Sequence, residues 1–197
     1  MPAEFNAILP TTVDIRALQL QSNQATIVTT SVSGRSQVRS FGGQFWSGQV
    51  DMPPMTEAET RKIYGFLIQK RGAFTSFTIA PTNLTSVTGT QSASEALSAG
   101  NSVGGRTVTT VGSNEFGIGD MIKFSGPTGH NKAYMVTGVS GTTLTFEPGL
   151  TAVVTSSHTV ESKDNFELTV RLDGDEFSYE MGPDRFSNLK FKFFEAV

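Results

Sequence analysis

Apolar and polar residues alternate in short runs along most of this chain. That period lays one face of a β-strand on a core and the other in solvent. Thr12-Val13-Asp14-Ile15-Arg16 alternates in this way, and its phase slips at Ala17-Leu18, where a bulge is expected. Ser22-Asn23-Gln24 reads as a turn, and Ala25 to Val32 is β-branched and strand-like. Gln44 to Val50, carrying Trp46, is a further strand. Near the C-terminus Phe166, Leu168, Val170 and Leu172 alternate with Glu167, Thr169 and Arg171. Asp173-Gly174 then supplies a favoured two-residue hairpin loop, with Phe177, Tyr179 and Met181 on the far side. That loop sets a register of Leu172 opposite Asp175, Arg171 opposite Glu176, Val170 opposite Phe177 and Leu168 opposite Tyr179. Opposite charges and apolar pairs then match across the strands, with Arg171 and Glu176 holding the hairpin. In the last strand Leu189, Phe191 and Phe193 share one face and Lys190 and Lys192 the other. The two lysines either protect an edge from aggregation or meet acidic residues of a neighbouring subunit.

One segment changes period. After Pro53-Pro54, Thr56-Glu57-Ala58-Glu59 forms a capping box, in which the Thr56 hydroxyl serves the amide three residues on and Glu59 reaches back. Ile63, Phe66 and Leu67 then make one apolar helical face. Lys70 and Arg71 suit the negative end of the helix dipole, and Gly72 suits the left-handed residue that ends it. Phe74, Phe77 and Ile79 open the next strand.

Composition divides the chain. Residues 82–160 hold only 7 charged residues but 12 of the 20 glycines, and 4 of the 19 aromatics. This pale segment reads as a small domain inserted into a main one built from residues 1–81 and 161–197. Residues 82–105 read as a mobile loop or linker. Short strands follow at Arg106 to Val111, Asp120 to Phe124, Ala133 to Val139, Thr142 to Phe146 and Ser157 to Val160. Five such strands suggest a small barrel of OB or SH3-like type, filled by Val108, Ile122, Phe124, Met135, Val136, Leu144 and Phe146. The fold class is therefore mainly β: a β-sandwich-like main domain with one α-helix, and an inserted barrel.

Chemistry is scarce. With no cysteine there is no thiolate site or disulfide, and two histidines cannot form a three-histidine zinc centre. A net charge of -3 and only Arg106, Lys123 and Lys132 as basic residues of the insert argue against nucleic-acid binding. The N-terminus lacks a signal-peptide pattern, and no apolar run is long enough for a membrane span. Asp173-Gly174-Asp175-Glu176 lacks the twelve-residue span of a calcium loop. Gly104-Gly105 and Gly117-Ile118-Gly119-Asp120 precede strands rather than the helix a phosphate loop needs; Asp120 reads as bonding turn amides. Ser125 with His130 lacks both a nucleophile elbow and a placed acid. His130 reads as an exposed loop residue and His158 as a strand-edge residue. No catalytic, cofactor-binding or metal site is expected, and the chain reads as no enzyme. Trp46 and the phenylalanines read as core or oligomer interface more readily than as a sugar-stacking surface.

One ordered set of features goes further. Trp46, Met52-Pro53-Pro54-Met55-Thr56, a helix through Phe66-Leu67, Arg71-Gly72-Ala73-Phe74, and Phe77 to Pro81 together resemble the belt domain of distal tail proteins of long-tailed bacteriophages. Gly119-Asp120-Met121-Ile122, Tyr134-Met135-Val136 and Thr143 to Pro148 resemble modules of such proteins, and Phe191 to Ala196 their closing strand. The resemblance spans residues from about 40 to 197. It implies a virion structural protein, assembled in the host cytoplasm. Its copies would form a hexameric ring joining the tail tube to the tip or baseplate. Its partners would be its own copies, the tube protein and hub or tip proteins. The assembly residues it points to are Trp46, Phe66, Phe74, Phe77, Phe191 and Phe193. The alternative is a receptor- or carbohydrate-binding minor tail protein that uses the inserted barrel.

Overall fold

The computed structural model describes residues 4–9, 15–40, 42–81, 91, 94–127, 130–175, 179–181 and 186–197. In chain order the elements of the first part are α1 (Glu4–Ile8), β1 (Ala17–Asn23), β2 (Thr26–Thr30), β3 (Ser36–Ser40), β4 (Phe45–Asp51), β5 (Met55–Thr56), α2 (Glu57–Gln69) and β6 (Phe77–Ile79). Then come β7 (Ser94–Ala99), β8 (Thr107–Thr110), β9 (Met121–Ser125), β10 (Ala133–Ser140), β11 (Thr143–Glu147) and β12 (Thr159–Glu161). The chain ends on β13 (Leu168–Leu172), β14 (Tyr179–Met181) and β15 (Phe186–Glu195).

The chain is mainly β, with an antiparallel sheet and a closed six-stranded antiparallel barrel. The sheet runs β1-β4-β15-β13-β6, and the start of β15 also pairs with β5 and β14. The barrel runs β10-β11-β8-β7-β12-β9 and closes on itself. It is inserted between β6 and β13. Among the described residues no helix is long and apolar enough to cross a membrane.

Helix α2 forms as its sequence predicts. The Glu59 carboxylate accepts from the Thr56 amide at 2.9 Å and from its hydroxyl at 2.8 Å. Ile63 and Leu67 are buried, and Phe66 is half-buried beside Phe77 in an edge-on contact of 5.5 Å. The helix ends on two left-handed residues, Arg71 (φ 54°) and Gly72 (φ 62°). Lys70 turns instead to Glu4 of α1, 2.7 Å away. Both helices cover the inner face of the sheet, where Phe5 meets Phe191 at 5.2 Å.

The strands correct several expectations. β1 begins at Ala17, and its pairing with β4 runs unbroken from Ala17↔Asp51 to Asn23↔Phe45. No bulge occurs at Ala17-Leu18, and Ser22-Asn23 lies in the strand; Thr12-Val13-Asp14 lie outside the described residues. The C-terminal hairpin does not form as the alternation suggests. β13 has β6 on one edge and β15 on the other, so Leu172 faces Phe193 and Leu168 faces Ile79. β14 pairs with the start of β15 instead, Tyr179 opposite Leu189. Glu176 and Phe177 lie outside the described residues, and the Arg171 guanidinium donates to the carbonyls of Ala73 and Phe74. A local turn preference loses here to two long-range edges that need partners.

β15 is thus a central strand, and Lys190 and Lys192 guard no edge. Lys190 pairs with Asp51 of its own chain at 3.2 Å. Ser94–Ala99, expected to be loop, is β7, which closes the barrel by joining β8 to β12. The barrel core takes Val108, Ile122, Phe124, Val136, Leu144 and Phe146 as expected, but Tyr134 replaces Met135. Met135 points the other way and, with Met121 and Ala133, packs against the core of the sheet.

Candidate functional site

Among the described residues no group of three or more potential ligands could hold a metal ion. The Ser125 hydroxyl lies 2.7 Å from both Thr159 Oγ1 and Glu161 Oε1, not against an imidazole. Asp120 Oδ2 accepts from the Gly117 amide at 2.7 Å, the turn role its sequence context predicts. The basic residues of the barrel are neutralised. Arg106 meets Glu147 at 3.3 Å, Lys123 meets Glu167 at 3.8 Å, and Lys132 meets Glu195.

Both histidines are buried, contrary to the exposed and strand-edge places expected of them. His130 Nε2 faces the Ala152 carbonyl at 3.2 Å, and its Nδ1 faces the Tyr134 hydroxyl at 3.4 Å. His158 Nδ1 accepts from the Thr155 amide at 3.2 Å, and the two imidazoles stand edge-on, 6.1 Å apart. Burial pushes the His130 pKa below the ordinary histidine value; the bond to Ala152 opposes the shift and the nearby His158 adds to it. Burial likewise raises the Tyr134 hydroxyl. The His130, Tyr134 and Phe146 rings pack around Phe124 in the barrel core.

The aromatic residues expected at an interface divide by placement. Trp46, Phe77, Phe191 and Phe193 are buried within the chain, 6%, 2%, 3% and 0% exposed. Phe66 is half-buried under Lys70, whose ammonium lies 4.7 Å from its ring centre, and Phe74 is 74% exposed.

Three features were not anticipated. The first is the junction between barrel and sheet. Inward alternation along β15 carries Ser187, Leu189, Phe191 and Phe193 inside, and Glu195 with them. Its carboxylate accepts from the Ala133 amide (2.6 Å), the Trp46 amide (3.1 Å) and the Lys132 ammonium, with both charged side chains 0% exposed. Lys132 also donates to the Gln44 carbonyl, and the Trp46 indole N–H donates to the Ala133 carbonyl at 3.0 Å. Burial lowers the Lys132 pKa, against the opposing pull of Glu195. Only the phase of the alternation could have signalled this: Glu195 sits where an apolar residue is due.

The second is an arm. β2 and β3 form a two-stranded hairpin in register Thr26↔Ser40 to Thr30↔Ser36, and every residue of both strands is exposed. Ile27, Val28, Val32 and Val38 are 51%, 62%, 110% and 67% exposed. The turn closes through Ser31, whose amide donates to the Arg35 carbonyl, and Gly34 (φ 79°). Val28 and Val38 face each other across the pair, and strand alternation puts Thr26, Thr30, Ser36 and Ser40 beside them. That face is uncharged. Arg39 opposes Ile27 on the other face.

The third is a cleft of about 390 Å³ between the base of this arm and the barrel, lined among others by Gln44, Arg106, Glu147 and Thr151. A scan of protein-family models finds none that matches the chain, and a search of curated proteins finds no relative.

Proposed function

We propose that the chain is a virion structural protein: a ring-forming distal tail adaptor that joins the tail tube to the tail tip or baseplate, and not an enzyme. The observation that carries the assembly part is the exposed β2–β3 arm. A lone two-stranded hairpin in water is marginally stable at best. This one leaves four large apolar side chains open along its length and tip. It follows directly on β1, an outer strand of the sheet whose one described partner is β4. Arm and free edge together offer a continuous surface that a second copy can pair with and cover. Such a contact joins two different patches, and repeated head to tail it closes into a ring. The tail assignment, and with it the tube and hub partners, rests on the sequence resemblance.

Mass measurement in solution with negative-stain imaging tests this reading. Sixfold rings with a central hole are expected from the wild-type chain, and subunits from the double variant V28K/V38K. A wild-type chain that stays monomeric at high concentration would overturn it, as would rings that the lysines leave intact.

A further inference from the structure

We infer that the corner at the end of α2, with Ile68 and Phe74, seats the charged face of a neighbouring copy's arm, and that the arm's arginines lie there against Asp173 and Asp175. This rests on the ring reading above and names the surface that receives the arm. The arm has two unlike faces. Arg35 stands opposite Ser31 and Arg39 opposite Ile27, so alternation puts both arginines on the Ile27 face and leaves the Val28/Val38 face uncharged. The charge of the arm is one-sided. The chain holds 15 basic and 18 acidic residues, yet residues 24–43 contain two arginines and no acid. Both arginines are exposed, and Ile27 is exposed beside them. An apolar, cationic face is complemented by an apolar, acidic one.

The α2 corner is such a face. The helix ends in a tight turn, in which the Arg71 amide donates to the Ile68 carbonyl at 3.0 Å and the Phe74 amide to the Arg71 carbonyl at 3.2 Å. That turn brings together two large apolar side chains, Ile68 at 55% and Phe74 at 74% exposed. The chain after β13 packs against it. Arg171 donates to the Ala73 and Phe74 carbonyls, and a Cβ on Gly72 would meet the Asp175 carboxylate. Asp173 and Asp175 are exposed there. Residues 173–184 carry five acids and no basic residue, so this stretch stays negative even with Arg71 and Arg171 set against it; Glu176 and Asp184 of the five lie outside the described residues. Arm and corner of one copy lie toward opposite ends of the sheet. The arm leaves where Asn23 pairs with Phe45. Arg171 is level with Phe194 and Ser47, and Leu172 with Phe193 and Gly48, so each step along β13 toward Asp173 leads away from the arm. Seating the arm on the corner therefore takes two copies, head to tail, as a closed ring requires. Apolar burial drives such a contact, and opposite charges fix its register and reject wrong pairings.

Two charge-reversed full-length chains test this, R35E/R39E on the arm and D173K/D175K at the corner. Unchanged thermal unfolding establishes that both are folded, and D175K alone serves as the corner variant if Asp173 proves necessary to its turn. Sedimentation velocity reads association at matched concentrations. The wild type is expected to assemble, and each variant alone to associate about tenfold more weakly or worse. An equimolar mixture of the two should recover assembly. Each arm then meets a corner of opposite sign on the other variant, and an even-numbered ring can alternate them. A chain carrying both reversals should also assemble by itself. Either variant assembling alone as the wild type does would overturn the seat and leave the ring reading standing. So would folded variants whose mixture stays apart. A wild type that remains monomeric would overturn the ring reading and this inference with it.

Discussion

Replacing Lys132 by Met isolates what the barrel–sheet junction contributes. The substitution keeps much of the side-chain length but removes the ammonium that faces Glu195, both side chains being fully buried. The Glu195 carboxylate keeps its bonds from the Ala133 and Trp46 amides, and the Gln44 carbonyl loses its lysine donor. A charge stranded in this way costs about 3–5 kcal/mol, because its desolvation is no longer answered. At roughly 2–4 °C per kcal/mol for a chain of this size, unfolding should move down by about 6–20 °C. Urea titration followed by the fluorescence of Trp46, the one tryptophan, reads the loss beside the junction itself. The double variant K132M/E195Q should recover part of it, since the glutamine carries no charge yet still offers an oxygen to one of the two amides. A K132M chain within about 1 kcal/mol of wild type would refute the reasoning. So would a double variant no more stable than K132M, because the cost would then come from lost packing and not from the isolated charge.

Gly48→Ala should destabilise by about 1–3 kcal/mol or more, because its Cβ would sit 2.3 Å from the Gln19 carbonyl oxygen and 2.7 Å from the Phe193 ring; thermal unfolding measures it, and a neutral result would mean β1 can shift away. Thr56→Ala removes the capping hydroxyl of α2 and should lower stability by about 1 kcal/mol, read as a urea midpoint shift. His130 makes stability depend on pH. Its folded pKa lies below the ordinary 6.5, so the unfolded chain binds the proton first as pH falls. Its contribution is complete above about 6.5 and is lost as pH falls from there toward the depressed folded value. Urea midpoints at pH 7.5 and 5 should differ more for wild type than for H130Q, and equal slopes would remove His130 as the cause.

The sequence exposes those parts of the fold where local chemistry and tertiary demand agree. The Thr56–Glu59 box, the Ile63/Leu67 face and the β15 alternation are local patterns, and each is found in place. Reading fails where an edge must be filled. Ser94–Ala99 contains no β-branched residue and buries one large apolar side chain, Leu97, yet it pairs on both sides because β8 and β12 would otherwise leave the barrel open. Asp173-Gly174 still turns the chain, with Gly174 at φ 116°, but β13 finds its neighbours in β6 and β15, far away in sequence. The candidate sites were the least legible part. Trp46 and three of the phenylalanines have the composition of an interface and the burial of a core, and a pattern of residue types cannot separate those two fates. The arm carries only the ordinary signal of a strand; its missing cover is a property of space.

The junction also bears on how arm and barrel can act together. An apolar seam between sheet and barrel would tolerate sliding, since burial has no direction. Glu195 has three donors from two places, Trp46 on the neighbouring sheet strand β4 and the adjacent Lys132 and Ala133 at the start of β10, and a shift of the barrel strands both barrel donors at once. Gln44 ties the same point to the arm, because its carbonyl takes Lys132 while its side-chain amide holds Ser22 near the end of β1. Directional polar contacts of this kind select one seating where apolar contacts would allow several. The cleft lies between elements whose relative position these bonds set, so its shape depends on the junction. K132M should therefore widen the cleft before it unfolds the chain. Hydrogen exchange at the backbone amides of residues 42–44 and 103–106 would show that as faster exchange at both walls under native conditions. Protection unchanged at both walls would mean that the ion pair stabilises the fold without setting the geometry of the cleft.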